Sequence, residues 1–419
     1  MKVGFPRAVY YYDYFPFWAG FFESLNLELV ASPLTNRRIM ESGLKKASDE
    51  TCLPIKILAG HIQALKDVDA LFLPRMVSTE EQTYLCPKLL GLPESIFPAV
   101  PQGMPVLTVN FNRRLGKRRL LAELEHFGAS LGKSRVEVHR AFELGGEWQE
   151  RFEKSRLKGL SFAESMEEFD PVVRPKRRKA EEGSQNLASA TVRGKEPPAR
   201  EGQGAEVTGR EVTEQEVVGR GGSDRGVAER EVVGREVTER KVVGGEVTNR
   251  KVAGREAAGR EPTGNTPEER KEPSLTIALV GHSYLTQETY ANLNLLGRLQ
   301  SQATVRLVEE VEAGRIAEGL RSQRKALFWS HARKILGAGS FFSRGDEVDG
   351  IIYLSCFGCG TDSITQDLLA RVARREHKPY MVLTLDEHSG EAGLVTRLEA
   401  FLDMTERRVR RESDVSAHG

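Results

Sequence analysis

The feature that most constrains this chain is a change of composition in its middle. Between Pro171 and Pro273 the sequence has no aromatic residue and no Cys, Met or Ile, and Leu187 is its only leucine. Arg, Glu, Lys and Gly dominate there. Such a segment buries too little apolar surface to offset the conformational entropy that folding removes. We therefore expect residues 171–273 to form a disordered, low-complexity linker.

Valine recurs inside this segment at a five-residue step. One run extends from Val207 to Val217 and another from Val227 to Val252, usually with Glu or Lys before the valine. A step of five residues turns about 140° around a helix and falls on alternating faces of a strand, so neither element gathers these valines on one side. Solenoid repeats are longer and carry larger apolar residues. The pattern therefore favours a linker over a repeat architecture.

The sequence on either side of the linker predicts two α/β lobes. In residues 1–170 we predict strands at 2–5, 27–31, 70–74 and 106–109, and helices at 11–25, 36–47, through 61–65 and within 116–170. In residues 274–408 we predict strands at 276–282, 303–308, 350–355 and 380–384, helices at 286–299, 363–376 and 393–403, and then a solvated tail over 409–419. Such alternation implies Rossmann-like lobes with open parallel sheets and helices on their faces.

Charge and motifs exclude several classes of protein. Lys and Arg total 61 against 60 Asp and Glu, so the charge gives no reason to expect a nucleic-acid partner. No stretch approaches the ~20 apolar residues of a membrane span, and the first residues lack the apolar core of a signal peptide. Neither lobe has a G-x-G-x-x-G fingerprint or a P-loop. We expect a cytoplasmic protein without nucleic-acid or membrane partners and without ATPase motifs.

The four cysteines are the strongest chemical signal in the chain. Cys356 and Cys359 form a C-x-x-C turn directly after a predicted strand and before a predicted helix, which is the usual ligand edge of an open α/β sheet. Helix N-termini favour thiolates, and glycines let the backbone approach sulfur. Cys52 and Cys86 lie in turn-rich segments of the first lobe. We predict that all four could converge on one metal centre between the lobes.

Spacing alone leaves the nature of that centre open. A single C-x-x-C motif is compatible with an iron–sulfur cluster, with zinc, with a redox dithiol or with buried structural cysteines. Cys52 and Cys86 do not form a second knuckle, which weakens the case for zinc. A redox dithiol of the thioredoxin type normally follows the first strand of its fold, whereas this one follows a late strand.

Other polar residues near these motifs have plain interpretations beside functional ones. His282 and His388 each follow a strand and could act as an acid or an anion contact, or could simply brace a turn. Asp362 is predicted to cap the helix after Cys359. Lysines adjoin the cysteine motifs at positions 56 and 88, where a solvated side chain is the simplest expectation.

Long consecutive motifs in both lobes carry a family resemblance. They are Gly4-Phe5-Pro6-Arg7-Ala8, Asp49-Glu50-Thr51-Cys52-Leu53-Pro54, Cys86-Pro87-Lys88, Cys356-Phe357-Gly358-Cys359-Gly360-Thr361-Asp362 and Asp386-Glu387-His388-Ser389-Gly390-Glu391. On these residues the chain resembles the acyl-CoA dehydratase activase-related proteins, a group often labelled CoA-substrate-specific enzyme activase. That group is related to the 2-hydroxyacyl-CoA dehydratase subunits of anaerobic bacteria.

The resemblance implies a [4Fe-4S] cluster between two α/β domains and a role in low-potential electron transfer or reductive chemistry on acyl-CoA substrates. Carried over by position, Cys52, Cys86 and Cys359 are the core ligands, and Cys356 is the less secure fourth. If Cys356 binds, the cluster is closed; if it does not, one iron can face a substrate. The implied partner is an ATP-dependent activase or a dehydratase/reductase subunit. The alternative is a zinc-binding or metal-free two-lobed scaffold protein that acts by binding partners.

Overall fold

The structure is a computed structural model that describes residues 1–170, 275–321, 323 and 325–417. The predicted linker at 171–273 lies outside the described residues. The described residues fall within one compact unit, which we divide into an N-terminal lobe (residues 1–170) and a C-terminal lobe (residues 275–417). No helix in these ranges combines the length and apolar character needed to cross a membrane.

The N-terminal lobe has a four-stranded parallel sheet beside a separate two-stranded one. The strands are β1 (Lys2–Phe5), β2 (Glu28–Ala31), β3 (Ala70–Phe72), β4 (Arg75–Ser78), β5 (Val106–Leu107) and β6 (Asn110–Asn112). The larger sheet has the order β2-β1-β3-β5, and β4 pairs with β6. All these pairings are parallel. The small sheet was not predicted, because Arg75–Ser78 and Asn110–Asn112 carry no longer run of apolar residues that would indicate a strand.

The helices of this lobe cover the sheet and form a separate layer after it. They are α1 (Tyr11–Ser24), α2 (Arg37–Lys46), α3 (Leu53–Ala64), α4 (Pro87–Leu90), α5 (Leu92–Ser95), α6 (Lys117–Ser130), α7 (Arg135–Leu157) and α8 (Phe162–Met166). Helix α1 packs closely on α7, where a Cβ on Gly20 would stand 3.1 Å from the Gly145 Cα. Glycine at this crossing lets the two backbones approach.

Aromatic rings fill the space between the sheet, α1 and α6. The ring of Phe72 on β3 lies 4.7 Å from Trp18, 4.9 Å from Phe22 and 5.8 Å from Phe127 between centroids, mostly edge to face. This geometry is the favoured one for aromatic pairs. The aromatic run of α1 is therefore mainly a core element.

The C-terminal lobe repeats the same arrangement. Its strands are β7 (Thr276–Gly281), β8 (Thr304–Leu307), β9 (Gly350–Cys356) and β10 (Tyr380–Leu385), and its helices are α9 (Ser283–Thr286), α10 (Leu295–Gln300), α11 (Ala313–Leu320), α12 (Ser330–Arg344), α13 (Gly360–Arg375) and α14 (Glu391–Ala417). The sheet order is β10-β9-β7-β8, again all parallel. The predicted class of two Rossmann-like α/β lobes is confirmed for the described residues.

Two predicted helices have the wrong extent. The helix expected over 286–299 is replaced by α9 and α10, because Leu293 and Asn294 adopt positive φ and the Asn292 side chain donates to the carbonyls of residues 285 and 286. The helix expected to end at Asp403 continues as α14 to Ala417, through residues assigned to the tail. Val409 packs against the core there, which extends the apolar stripe of the helix.

A buried ion pair joins the start of the chain to the end of the N-terminal lobe. Arg7 Nη1 lies 2.6 Å from Asp170 Oδ2, with the two side chains 2% and 5% exposed. The Tyr11 hydroxyl donates to the same carboxylate oxygen at 2.8 Å. A pair buried this fully leaves an uncompensated charge when either partner is removed.

We therefore predict that Asp170→Asn lowers the free energy of unfolding by about 3–5 kcal/mol. Urea denaturation followed by circular dichroism measures the change. Arg37→Gln is the control, because Arg37 pairs with Glu41 at the surface with 84% of its side chain exposed, and no measurable change is expected. Equal midpoints for Asp170→Asn and the wild type would contradict the structural role of the pair.

Candidate functional site

Three of the four cysteines stand immediately before a helix. Cys52 precedes α3 and Cys86 precedes α4, and each is followed within two residues by a proline that suits the first turn of a helix. Cys359 precedes α13, and Cys356 is the last residue of β9. The free N–H groups and the dipole at a helix N-terminus stabilise a thiolate.

The structure brings cysteines of the two lobes together. Cys356 lies within hydrogen-bonding reach of Cys52 in the N-terminal lobe and of Cys359 in its own turn. Gly358, between the two cysteines of the turn, has a φ of +76° that favours glycine. A Cβ at Gly358 would stand 3.8 Å from the Cys52 Cα, so the C-x-x-C turn packs directly on the loop before α3.

Cys52, Cys86 and Cys359 line one cavity of about 310 Å³, which we call the sulfur cavity. The remaining lining residues are mostly apolar: Pro54, Ile55, Pro87, Lys88, Leu89, Tyr284, Trp329, Gly360 and Thr361. Cys356 does not line it and is only 3% exposed. The four predicted residues are therefore neighbours, but three face the cavity and the fourth lies behind it.

Hydrogen bonds between the lobes lie beside the cavity. Tyr84, just before Cys86, forms a parallel bridge with Trp329. The Tyr84 N–H donates to the Phe328 carbonyl at 2.8 Å, and the Ser330 N–H donates to the Tyr84 carbonyl at 2.9 Å. Lys88 Nζ donates to the carbonyls of Glu50 at 3.4 Å and Gly358 at 3.3 Å. These bonds hold both lobes at the mouth of the cavity.

A buried histidine and carboxylate stand next to Cys359. The ligand atoms of His282, Cys359 and Asp362 lie within 4.8 Å of one another. His282 Nε2 is 3.1 Å from Asp362 Oδ1, an ion-pair distance without good hydrogen-bond alignment. Asp362 also accepts from the hydroxyls of Tyr353 at 2.7 Å and Ser355 at 3.2 Å.

The electrostatics of this group favour a thiolate at Cys359. Burial alone would lower the pKa of His282, but Asp362 and Cys359 raise it well above its ordinary value, so the imidazole is protonated. Burial alone would raise the pKa of Asp362, and His282 holds it below its ordinary value instead. The Cys356 thiol, and secondarily His282, lower the pKa of Cys359 to about 5.

The other sulfurs differ from Cys359. A hydrogen bond with Cys356 lowers the pKa of Cys52. Hydrogen bonds with Cys359 and Cys52, together with burial, raise the pKa of Cys356 well above its ordinary value, and burial raises that of Cys86. Of these three sulfurs Cys356 is thus the one that keeps its proton most strongly, whereas the pKa values of Cys359 and Cys52 lie below the ordinary value.

Two expectations about neighbouring residues are wrong. Lys56 is not solvated: it is 3% exposed, and its Nζ lies 2.5 Å from Glu387 Oε1 across the lobe contact. Asp362 does not cap α13, because its carboxylate turns back to the hydroxyls at the end of β9. His388 is exposed, and its backbone N–H donates to Asp386 Oδ1 at 3.0 Å, so the Asp386 side chain braces this turn.

Sequence reasoning missed the aromatic walls of the site. Tyr284 follows β7 by three residues, so the strand-end rule that singled out His282 could have included it. Trp329 and His331 could not be identified from the sequence, because no helix or strand was predicted around them and α12 was missed.

We predict that Cys359 is the most reactive thiol of the metal-free chain toward iodoacetamide at neutral pH. Its alkylation should lose rate only as pH falls through about 5. Cys356→Ala removes the thiol that donates to it and should move that midpoint upward, whereas Cys86→Ala should not. Peptide mass spectrometry follows each cysteine separately. A wild-type midpoint near the ordinary 9.0 would contradict the electrostatic description.

The family comparison agrees with the resemblance seen in the motifs. The sequence model of the CoA enzyme activase uncharacterised domain matches residues 2–180, which include Cys52 and Cys86. No curated protein matches the chain. The resemblance to the activase-related family is thus confirmed over residues 2–180, where the chain matches the CoA enzyme activase uncharacterised domain.

Proposed function

We propose that the chain is a cysteine-ligated [4Fe-4S] protein that transfers electrons at low potential, or supports reductive chemistry, in a reaction of acyl-CoA substrates. Cys52, Cys86 and Cys359 are the ligands. The observation that carries the proposal is that cysteines from both lobes line one mostly apolar cavity. The match of residues 2–180 to a CoA enzyme activase domain supports the link to CoA substrates.

The donor set fits a soft metal centre. All three donors are sulfur atoms, and such sets select iron–sulfur clusters, zinc or Cu(I) over hard cations. A thiolate at Cys359 and a lowered pKa at Cys52 supply the deprotonated form that a metal requires. Exposed glycine backbone at Gly360 lies beside the cavity, where N–H groups can bond to sulfur.

Size and spacing favour a cluster over a single zinc ion. A tetrahedral zinc site with Zn–S bonds near 2.3 Å places its sulfurs about 3.8 Å apart. Among the described residues no three of the four cysteine sulfurs lie within 4.8 Å of one another. The cavity of about 310 Å³ is roughly ten times the ~30 Å³ share of one water molecule. A polynuclear group uses this space, and a lone ion does not.

The position of Cys356 supports three-cysteine ligation. It does not line the cavity, it is 3% exposed, and interactions with Cys359 and Cys52 raise its pKa, which disfavours the deprotonated form that a metal requires. A cluster bound by the other three supplies electron transfer and leaves one iron without a cysteine ligand. The chain itself contributes the surroundings: protonated His282 and Lys88 offset thiolate charge, and Tyr284 and Trp329 exclude water.

A zinc-binding or metal-free scaffold is the second candidate. The group of His282, Cys359 and Asp362 within 4.8 Å favours it, because these are common zinc donors. The hydroxyls of Tyr353 and Ser355 already occupy the Asp362 carboxylate, which argues for a charge partner of His282 rather than a metal ligand.

The partner expected for this function is an ATP-dependent activase or a dehydratase/reductase subunit. The domain family's description supports an activase system, and no nucleotide-binding motif was found in the sequence. The chain would then receive or pass on electrons, while a partner hydrolyses ATP.

We predict that the full chain, purified and reconstituted without oxygen, is brown, with a broad absorption near 400 nm that dithionite bleaches. About four irons per chain are expected. Cys52→Ser, Cys86→Ser and Cys359→Ser should each lose most of the iron, because each removes one of three anchoring thiolates. Cys356→Ser should keep it and shift the spectrum only slightly.

Ser363→Ala is the matched control, since it removes a hydroxyl that bonds only to Gly360 at the same helix start. Zinc bound by the wild type in place of iron, and absent from the His282→Gln and Asp362→Asn variants, would support the second candidate. A colourless protein without metal, and unchanged by all four cysteine substitutions, would contradict both metal proposals.

A further inference from the structure

Cys356 is the one cysteine that the proposed cluster does not use. It is the last residue of β9 and is 3% exposed. Its side chain interacts with those of Cys52 and Cys359, both of which line the sulfur cavity. A thiol that stays out of the cavity and still lies beside two of its sulfurs is placed to react with one of them.

The turn from Cys356 to Cys359 has the dimensions of a disulfide loop. The Cys359 N–H donates to the Cys356 carbonyl at 3.2 Å, which closes a four-residue turn. Residues at the two ends of such a turn have Cα atoms less than about 7 Å apart, and disulfides join Cα atoms roughly 4.4–6.8 Å apart. The two cysteines can therefore be joined without a large movement of the backbone.

The two ends of this turn differ in their freedom to move. Cys356 pairs with Leu385 of β10, so its backbone is held in the sheet. Cys359 stands between two glycines: Gly358 has a φ of +76°, and a Cβ on Gly360 would meet no atom within 4 Å. Because the open space lies at the Cys359 end, that end adjusts when the two sulfurs are joined, and the Cys359 sulfur turns toward Cys356.

The two sulfurs also differ in their access to reagents. Cys359 is half-buried and lines the sulfur cavity, whereas Cys356 does not line it. A small oxidant that enters the cavity therefore meets Cys359 first. Thiols that react with peroxides often stand at a helix N-terminus and beside a second thiol that resolves the product. Cys359 precedes α13 and has Cys356 as that neighbour.

Cys52 is the other possible partner of Cys356, and two observations favour Cys359. Cys52 is only 9% exposed, so an oxidant reaches it less easily than the half-buried Cys359. Pro54 follows it in the first turn of α3, and proline stiffens the backbone at a position where no glycine allows adjustment.

From these observations we infer that, in the metal-free chain, Cys359 is a site of oxidation by peroxides and Cys356 is its resolving thiol, so that the two form a reversible disulfide. The Cys359 sulfur takes one oxygen atom from hydrogen peroxide and becomes a sulfenic acid, while the departing hydroxide and the thiol proton form water. The Cys356 sulfur then attacks the Cys359 sulfur, the S–O bond breaks, and the hydroxyl leaves with the Cys356 proton as a second water. Two thiols lose two electrons, and one peroxide gains them.

This disulfide blocks cluster binding, a consequence that rests on the proposed function. The thiolate is the form of cysteine that binds a metal. Joining Cys359 to Cys356 removes one of the three proposed ligands until a dithiol reduces the bond. Cys356 thus protects the ligand from irreversible oxidation and keeps it out of use at the same time.

The experiment treats the full, reduced, metal-free chain with an equimolar amount of hydrogen peroxide, blocks the remaining thiols with N-ethylmaleimide and maps the peptides by mass spectrometry. Trypsin releases Cys356 and Cys359 within one peptide, residues 345–371. We expect this peptide to lose two hydrogen atoms and to stay unlabelled by N-ethylmaleimide. Treatment with dithiothreitol should return both thiols.

Three variants separate the resolving role of Cys356 from simple oxidation. With dimedone present to trap sulfenic acid, Cys356→Ser should accumulate the adduct at Cys359, because no second thiol removes the intermediate. Cys86→Ser is the matched control, since Cys86 lines the same cavity outside the C-x-x-C turn, and it should form the same disulfide as the wild type. Cys52→Ser should form it as well.

The wild-type peptide map decides the inference even if Cys356→Ser fails to fold. A disulfide from Cys359 to Cys52 or Cys86, a disulfide from Cys356 to Cys52, or a wild-type Cys359 that stops at the dimedone adduct would overturn it.

Iron uptake is measured separately on the peroxide-treated chain, before and after dithiothreitol. A loss of uptake that dithiothreitol restores supports the block on cluster binding, and full uptake by the disulfide form would overturn the block. A fully reduced chain that takes up no iron would contradict the proposed function and the block together, and would leave the disulfide itself standing.

Discussion

The candidate site depends on the contact between the two lobes. Cys52 and Cys86 come from one lobe and Cys356 and Cys359 from the other, so neither half carries the set alone. Bonds at the rim of the sulfur cavity make this contact specific. They are the Lys56–Glu387 ion pair, the bonds from Lys88 to two carbonyls, and the Tyr84–Trp329 bridge. Anything that separates the lobes removes the site.

Charge inside the contact is balanced by groups that the sequence places at strand ends. His282 directly follows β7 and precedes α9, and Asp362 lies in the first turn of α13 after β9. Their pairing keeps a positive imidazole beside the Cys359 sulfur in a place that water does not reach. The His282 ring also stands 5.7 Å from the ring of His331 on α12.

The fold class could be predicted because apolar runs alternated with amphipathic segments in both lobes. The convergence of the cysteines followed from the rule that parallel strands present their carboxyl ends at one edge. The sequence predictions that were wrong concern features that depend on tertiary contacts. Lys56 is a charged residue within an apolar stretch of α3, and nothing in the sequence indicates that its side chain is buried against Glu387 of the other lobe. The break at Leu293 and Asn294 came from positive φ and from Asn292 bonds that no periodicity reveals. Helices α11 and α12 were not predicted at all.

The central claim is that sulfurs distant in the chain meet at one cavity, and cross-linking tests it most directly. Metal-free Cys356→Ala protein, which retains Cys52, Cys86 and Cys359, is treated with dibromobimane, a reagent that fluoresces only when it joins two thiols. Peptide mapping of the monomer should give a fluorescent product that links Cys359 to Cys52 or Cys86. Fluorescence confined to cross-linked dimers, or thiols labelled only singly, would contradict the account.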